Sequence, residues 1–388
     1  MNARGIVAPL GRSVVAIGLG LVVGAAAIIA SGNNPVTVYG VLFDGAFGSY
    51  AAFANTLSVA TPLMFAALAF SIAAKAGAFN AGIQGQFALA TFVTAWLGVK
   101  LALPAPLLIM ALFAGAMLVG LIWAIIPIVL RVYFGTNELI PTFLLSYVAI
   151  LIVQYLIVEK FSDPLFNGIA NGTPQVKTAA QLPQIMPPYH VTIALPLIVL
   201  IAVLAQYILK RMVLGYQLEM TGRSVRFARY GGIPTRRVWI AAMVVSAMLA
   251  GASAVQAVAG NEYRAVAGMQ PNLFFDAIVV SLMALNNPIG ILPAALFVGA
   301  LENSGIGLQI QTNVSVDLVT VIIGAIILFA TVKRAGPAGF LWRWVRTHLF
   351  VVVASGSSTA AAETSPPTVS TVEPPVSTVE PPMRVDGD

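Results

Sequence analysis

The chain has 388 residues, of which 59% are hydrophobic and only 9% are charged. Soluble domains carry about 25% charged residues and barrel strands alternate in polarity, so the long apolar runs predict an all-α, polytopic membrane protein. The absence of cysteine excludes disulfides and thiolate metal sites, and the net charge of +6 is explained by membrane topology without a nucleic-acid partner.

The predicted elements are about ten transmembrane helices, each roughly 15–25 residues long, as a hydrocarbon core of ~30 Å requires. The first has basic residues before it but no convincing cleavage site, so we predict that it is retained. The eighth and ninth are short and almost contiguous, which predicts short or broken spans. In chain order the ten segments lie near residues 13–31, 54–74, 83–103, 105–130, 139–158, 191–209, 238–259, 272–286, 288–303 and 315–332.

The basic residues predict the orientation of the chain. With the N-terminus inside, sixteen of the 20 Lys and Arg residues lie on the inner side and four on the outer side, so the positive-inside rule places both termini in the cytoplasm. Residues 1–334 are predicted to form the transmembrane domain, and residues 335–353 an amphipathic segment at the membrane interface. Residues 354–388 are rich in Pro, Ser, Thr and Glu and are predicted to be disordered.

The stretch "KAGAFNAGIQGQ", residues 75–86, places glycines and amides beside a long apolar run. Glycine interrupts helices, and broken helices in transporters bind polar solutes through freed backbone groups and side chains. Asn80, Gln84 and Gln86 would suit an uncharged polar solute such as a sugar or nucleoside. The same spacing also suits an ordinary inner turn with small-residue helix packing, and both interpretations stay open.

Four acidic residues lie at or within predicted spans, where a charge is costly and a functional role is the default hypothesis. Glu138 begins a span directly after Asn137 and is either functional or a partner of the helix dipole. Asp317 is predicted to cap its helix, and Glu302 is expected to be solvated at the outer surface. The sequence leaves the role of Asp276 open.

The basic inner loop contains "RSVRFARYGG", an arginine-rich stretch that ends at two glycines, which is typical of a short amphipathic helix. Such a helix either rests on anionic lipid or docks on a partner protein. For the second interpretation, the predicted contact uses Ala228, Tyr230 and Gly231, flanked by Arg223 and Arg229.

Motifs for catalysis are missing from the sequence. There is no Walker A phosphate loop, no HExxH and no GxSxG, so we predict that the chain is not an enzyme. Transport is the function that remains. A secondary transporter driven by an ion gradient and a membrane scaffold without transport stay open as rival hypotheses.

Four stretches between residues 50 and 305 together match one known pattern. They are "ATPLMFAALAFSIAAKAGAFNAGIQGQ", "GTNELIPTFLLSYVA", "TGRSVRFARYGGIPTRRVWIAAMVVSAMLAGASAVQAVAG" and "FDAIVVSLMALNNPIGILPAALFVGAL". In order and spacing they resemble the permease subunits of bacterial ABC importers for ribose-type sugars, branched-chain amino acids and nucleosides, and most closely the nucleoside-type permeases. The chain departs from that subgroup at Gln84, where the pattern has Glu, and at Ser146, where it has Asn.

The resemblance implies the membrane subunit of an ATP-driven, binding-protein-dependent importer in the bacterial plasma (inner) membrane. It implies ABC ATPase subunits that carry ATP and Mg, a second permease subunit (identical or homologous), an extracytoplasmic solute-binding protein and surrounding lipid; the chain itself would bind no cofactor. A nucleoside is the expected solute, with a sugar or branched-chain amino acid as the alternative. The loop around residues 221–234 would be the coupling helix. The expected solute pathway comprises Asn80, Gln84, Gln86, Asn137, Glu138 and Ser146.

Overall fold

The computed structural model describes residues 18–163, 171–312 and 317–331. Two π-helical turns, Leu156–Lys160 and Gln256–Glu262, extend the sixth and tenth helices, and a 3-10 turn spans Thr178–Ala180. Extended backbone in this part of the chain pairs only at two isolated bridges. The thirteen helices of the described ranges are α1 (Gly18–Ala30), α2 (Pro35–Phe47), α3 (Tyr50–Lys75), α4 (Ile83–Lys100), α5 (Ala105–Phe134), α6 (Leu139–Tyr155), α7 (Ala194–Arg211), α8 (Val213–Arg223), α9 (Val225–Tyr230), α10 (Thr235–Val255), α11 (Leu273–Met283), α12 (Pro288–Thr312) and α13 (Asp317–Thr331).

Six of these helices are long and apolar enough to cross a membrane, and the bent pair α1 and α2 would make a seventh. The prediction of an all-helical membrane protein is thereby confirmed. The predicted number of about ten spans is not confirmed, because α11 has only 11 residues and α4 falls outside the six. The segments predicted over 335–353 and 354–388 lie outside the described residues. The six candidate spans are Tyr50–Lys75, Ala105–Phe134, Leu139–Lys160, Ala194–Arg211, Thr235–Glu262 and Pro288–Gln309.

The amino-terminal part contains a helix that the sequence analysis did not anticipate. Helix α2 follows α1 at a bend of 119°. Its start is well defined, because the side-chain oxygen of Asn34 accepts a hydrogen bond from the Val36 amide at 2.9 Å, and Pro35 is preorganised for the first helical position. Helix α1 lies within the predicted first span, residues 13–31, and α2 lies beyond it.

Helices α3 and α10 form the centre of the bundle. In these two helices 78% and 72% of the apolar window is buried, against 22% in α5. Small residues bring α5 and α10 into close contact: a Cβ atom on Gly251 would lie 2.2 Å from the Ala116 carbonyl oxygen, and one on Gly120 would lie 2.5 Å from the Ala247 carbonyl oxygen. In lipid, where apolar burial does not drive helices together, such close packing holds them.

Replacing Gly120 with alanine should therefore force α5 away from α10. We expect the free energy of unfolding in detergent to fall by about 1–3 kcal/mol, the usual cost of overpacking, as measured by chemical denaturation of the purified chain. Gly40→Ala is the matched control, because Gly40 is exposed on α2 and an added Cβ would meet no neighbouring atom within 4 Å. Equal stability of the two variants would contradict the close packing of α5 on α10.

Candidate functional site

The turn between α3 and α4 brings two of the predicted amides together. Asn80 donates hydrogen bonds to the Gln86 side-chain oxygen at 3.1 Å and to the Ser246 hydroxyl at 2.9 Å. Its own side-chain oxygen accepts the Gly82 amide at 3.0 Å. Asn80 is 0% exposed and Gln86 is 1% exposed. The turn is thus tied to α10 by buried amides that satisfy one another, as groups without access to water must be.

Gln84 makes the second set of contacts. Its side-chain nitrogen donates to the Gln270 carbonyl oxygen at 2.9 Å, and its side-chain oxygen accepts the Phe274 amide at 3.0 Å. The second bond satisfies one of the free amides at the start of α11. Gln84 therefore holds both the loop before the short helix α11 and the first turn of that helix against α4.

Ser146 joins α6 to the same place. Its hydroxyl donates to the Ala81 carbonyl oxygen at 3.0 Å and lies 3.3 Å from the Gly85 amide, which donates to it. A Cβ atom on Gly85 would lie only 2.7 Å from the Cα of Ser146, so the glycine allows the two helices to touch. The structure therefore brings Ser146 together with the three predicted amides around the start of α4.

Asn137 and Glu138 lie at the start of α6, outside the turn between α3 and α4 that holds Asn80 and Gln86 (the amide turn). Asn137 is exposed, and its side-chain oxygen accepts the Leu139 amide at 3.1 Å, which is a capping contact. Glu138 is buried and pairs with Arg131 at 3.3 Å. Glu138 therefore has a structural partner, Arg131, in the last turn of α5.

The basic segment that is predicted to lie inside forms the two short helices α8 and α9. The Ser224 hydroxyl accepts the Phe227 amide at 3.3 Å and caps α9, and Gly231 follows the helix as its C-cap. Arg223 is paired with Glu219 at 2.6 Å. Arg229 donates to the Thr235 hydroxyl at 3.4 Å.

The exposed face of α9 differs from the one expected. Ala228 is 1% exposed and packs within the chain, whereas Phe227 is 65% exposed and Tyr230 is 92% exposed. Phe227 and Tyr230 are three positions apart, which places them on one side of a helix. The spacing of Phe227 and Tyr230 is visible in the sequence, but the predicted contact did not include Phe227.

A contact between glycines links this inner segment to the amide turn. A Cβ atom on Gly222, near the end of α8, would lie 2.2 Å from the Lys75 carbonyl oxygen and 3.0 Å from the Gly77 amide nitrogen. Gly77 has a φ of +72°, a conformation that favours glycine. The backbone of α8 therefore touches the backbone at Lys75, where α3 ends, and at Gly77, three residues before Asn80.

A polar network near the other end of α10 was not predicted from the sequence. Gln256 is fully buried in the π-helical turn and donates to the Asn261 side-chain oxygen at 2.8 Å. Ser58 donates to the same oxygen at 2.7 Å, and Thr192 donates to the Gln256 side-chain oxygen. Two amides five residues apart are a weak sequence signal, and only the widened helical turn places them together.

Comparison with known proteins identifies the family. Residues 52–331 match the family described as "Branched-chain amino acid transport system / permease component". The chain belongs to this permease family. The resemblance seen in the four sequence stretches is thereby confirmed, and the permease is a transport subunit, not an enzyme. No solved structure matches it significantly.

The permease is similar to several named transport proteins over most of its length. It is 28% identical to the guanosine ABC transporter permease protein NupP of Bacillus subtilis, over 83% of this chain and 92% of the relative. It is 30% identical to the nucleoside ABC transporter permease protein NupB of Lactococcus lactis subsp. cremoris, over 86% and 92%. It is also 30% identical to the glucose ABC transporter permease protein TsgB13 of Haloferax volcanii, over 82% and 86%.

Proposed function

We propose that this permease carries nucleosides across the bacterial plasma membrane as the membrane subunit of an ATP-driven importer. The observation that carries the proposal is the similarity to NupP and NupB over more than four fifths of the chain. The partners in this proposal are ABC ATPase subunits with their ATP and Mg, a second permease subunit and an extracytoplasmic solute-binding protein. The second candidate is a sugar importer, because the similarity to TsgB13 is of the same size.

Competition for uptake separates the two candidates. The complete importer, reconstituted in liposomes with its binding protein, should accumulate radiolabelled guanosine when supplied with ATP. Unlabelled uridine should compete with the label, whereas glucose should not. Uptake of labelled glucose with no uptake of guanosine would instead assign the permease to the sugar importers.

The amide turn supports a role in the solute pathway. Asn80 and Gln86 are uncharged and satisfy each other in the described conformation. Alternating access requires that the site repack, and a polar solute can then replace these internal hydrogen bonds at little net cost. In this proposal Asn80, Gln84 and Gln86 contact the solute, and Ser146 positions the start of α4.

Asn80→Ala tests this role. The change removes two donated bonds and leaves the Gln86 and Ser246 oxygens without that partner, which typically costs about 1–3 kcal/mol for each buried group. We expect the rate of guanosine uptake to fall at least about tenfold while the complex still assembles. Gln309→Ala, at an exposed amide of α12, should leave uptake unchanged. Normal uptake by Asn80→Ala would show that the turn only packs helices and does not contact the solute.

The surface formed by Phe227 and Tyr230 is proposed as the contact with the ATPase, because both aromatic side chains are exposed on the short helix α9. Tyr230→Glu would place an unpaired charge in that contact, at a cost of about 3–5 kcal/mol where it is buried by the partner. We expect the ATPase to be lost during co-purification.

Tyr216→Glu is the matched control for Tyr230→Glu. Tyr216 is also exposed, on the neighbouring helix α8, and lies outside the proposed contact. Retention of the ATPase by both variants would show that α9 only rests on lipid. Because both residues are exposed, neither change should lower the stability of the permease itself.

The proposed orientation places the loop that contains Ala179 outside and Ser224 inside. The chain contains no cysteine, so a single cysteine at either position can be labelled without background. A membrane-impermeant maleimide added to intact cells should modify Ala179→Cys and leave Ser224→Cys unmodified until the cells are opened. The opposite pattern would reverse the orientation.

A further inference from the structure

A cavity lies between helices α3, α11, α12 and α13, beside the loop that Gln84 holds. Its volume is about 440 Å³, which falls in the range of small-molecule sites. Its lining is mainly apolar and includes Leu63 and Ile323. Gln270, Asp276 and Glu302 add polar groups. A mainly apolar lining with a few polar groups is the usual composition of a ligand site.

Two carboxyl groups meet at this cavity. Asp276, in the first turn of α11, and Glu302, on α12, both line it. Glu302 was expected to be solvated at the outer surface; instead it is only partly exposed and shares the cavity with the buried Asp276. Neither group takes part in any ion pair of the described residues. Carboxyl oxygens accept hydrogen bonds, so both groups offer acceptor positions to a ligand in the cavity.

Gln270 supplies an independent indication of a ligand. Its side-chain oxygen is buried and has no hydrogen-bond partner among the described residues, although buried polar atoms nearly always have one. Its backbone oxygen is held by Gln84, so the loop that carries this side chain is fixed against α4. Gln270 therefore lies in the lining of the same cavity as the carboxyl pair, on a loop that Gln84 holds in place.

We propose that this cavity binds the hydroxyl groups of the transported solute, an inference that rests on the proposed function. Carboxylates bind the hydroxyl groups of ribose in other protein sites, and Asp276 and Glu302 supply such acceptors in the lining of this cavity. The apolar part of the lining, with Leu63 and Ile323, would pack against the carbon face of a sugar ring. A sugar hydroxyl is common to nucleosides and glucose, so the site would serve either candidate solute.

The double variant Asp276→Asn/Glu302→Gln tests the carboxyl groups. The probe is radiolabelled guanosine or glucose, whichever the wild-type complete importer accumulates; if it accumulates neither, the proposed solute class fails before this inference is tested. We expect the variant to lose at least about tenfold in uptake rate, with unchanged thermal stability of the permease, because neutral side chains of similar size replace a buried pair at little cost. Asp44→Asn, at an exposed carboxyl group of α2, should transport normally. Wild-type uptake by the double variant would overturn the proposal.

Cysteine labelling tests the cavity without relying on transport. Thr320 and its neighbour Val321 are both exposed, but only Thr320 lines the cavity. A water-soluble methanethiosulfonate should modify Thr320→Cys in the complete importer, as read from the mass of the permease. The reagent should modify Thr320→Cys several-fold more slowly when solute-loaded binding protein is present. Val321→Cys should show no such protection. Absence of labelling at Thr320→Cys would indicate a lipid-filled crevice, and labelling without protection would exclude the solute; either result overturns the proposal.

Discussion

The lipid interior offers no water, so a buried polar group in this permease is costly unless it finds a partner within the protein. That constraint is met at one glycine-broken turn. Asn80 bonds to α10 through Ser246, Gln84 bonds to the start of α11 through Phe274, and Ser146 bonds back from α6. Four helices therefore take their relative positions from a few amide and hydroxyl contacts, and any movement of one helix must exchange those contacts.

The same turn lies between the proposed ATPase contact on α9 and the cavity proposed to bind the solute. Near one end of the turn, the backbone at Gly77 touches Gly222 of α8, and α8 precedes the exposed aromatic surface of α9. Near its other end, Gln84 holds the loop that contains Gln270, a residue that lines the cavity. Because packed interfaces repack between discrete arrangements instead of deforming continuously, an ATPase that moves α9 would act through direct backbone contact on the residues that hold the cavity.

The sequence predicted what depends on composition and local pattern: the helical membrane architecture, the break at residues 75–86 and the short helix at α9. It could not predict which way residues point where the pattern is short. Ala228 turned inward and Phe227 outward, because a six-residue helix leaves its buried face to be decided by tertiary packing. Contacts between distant segments were equally out of reach. Nothing local indicates that Asp276 meets Glu302, which lies on a different helix.

The central claim is that transport by this permease is driven by ATP. The most direct measurement follows solute accumulation by the complete importer in liposomes under two conditions. With ATP present and all ion gradients dissipated by ionophores, accumulation should continue at its full rate. With a partner ATPase that binds but cannot hydrolyse ATP, it should stop. Accumulation that stops with the ionophores and continues with the inactive ATPase would contradict the account and identify an ion-gradient-driven transporter.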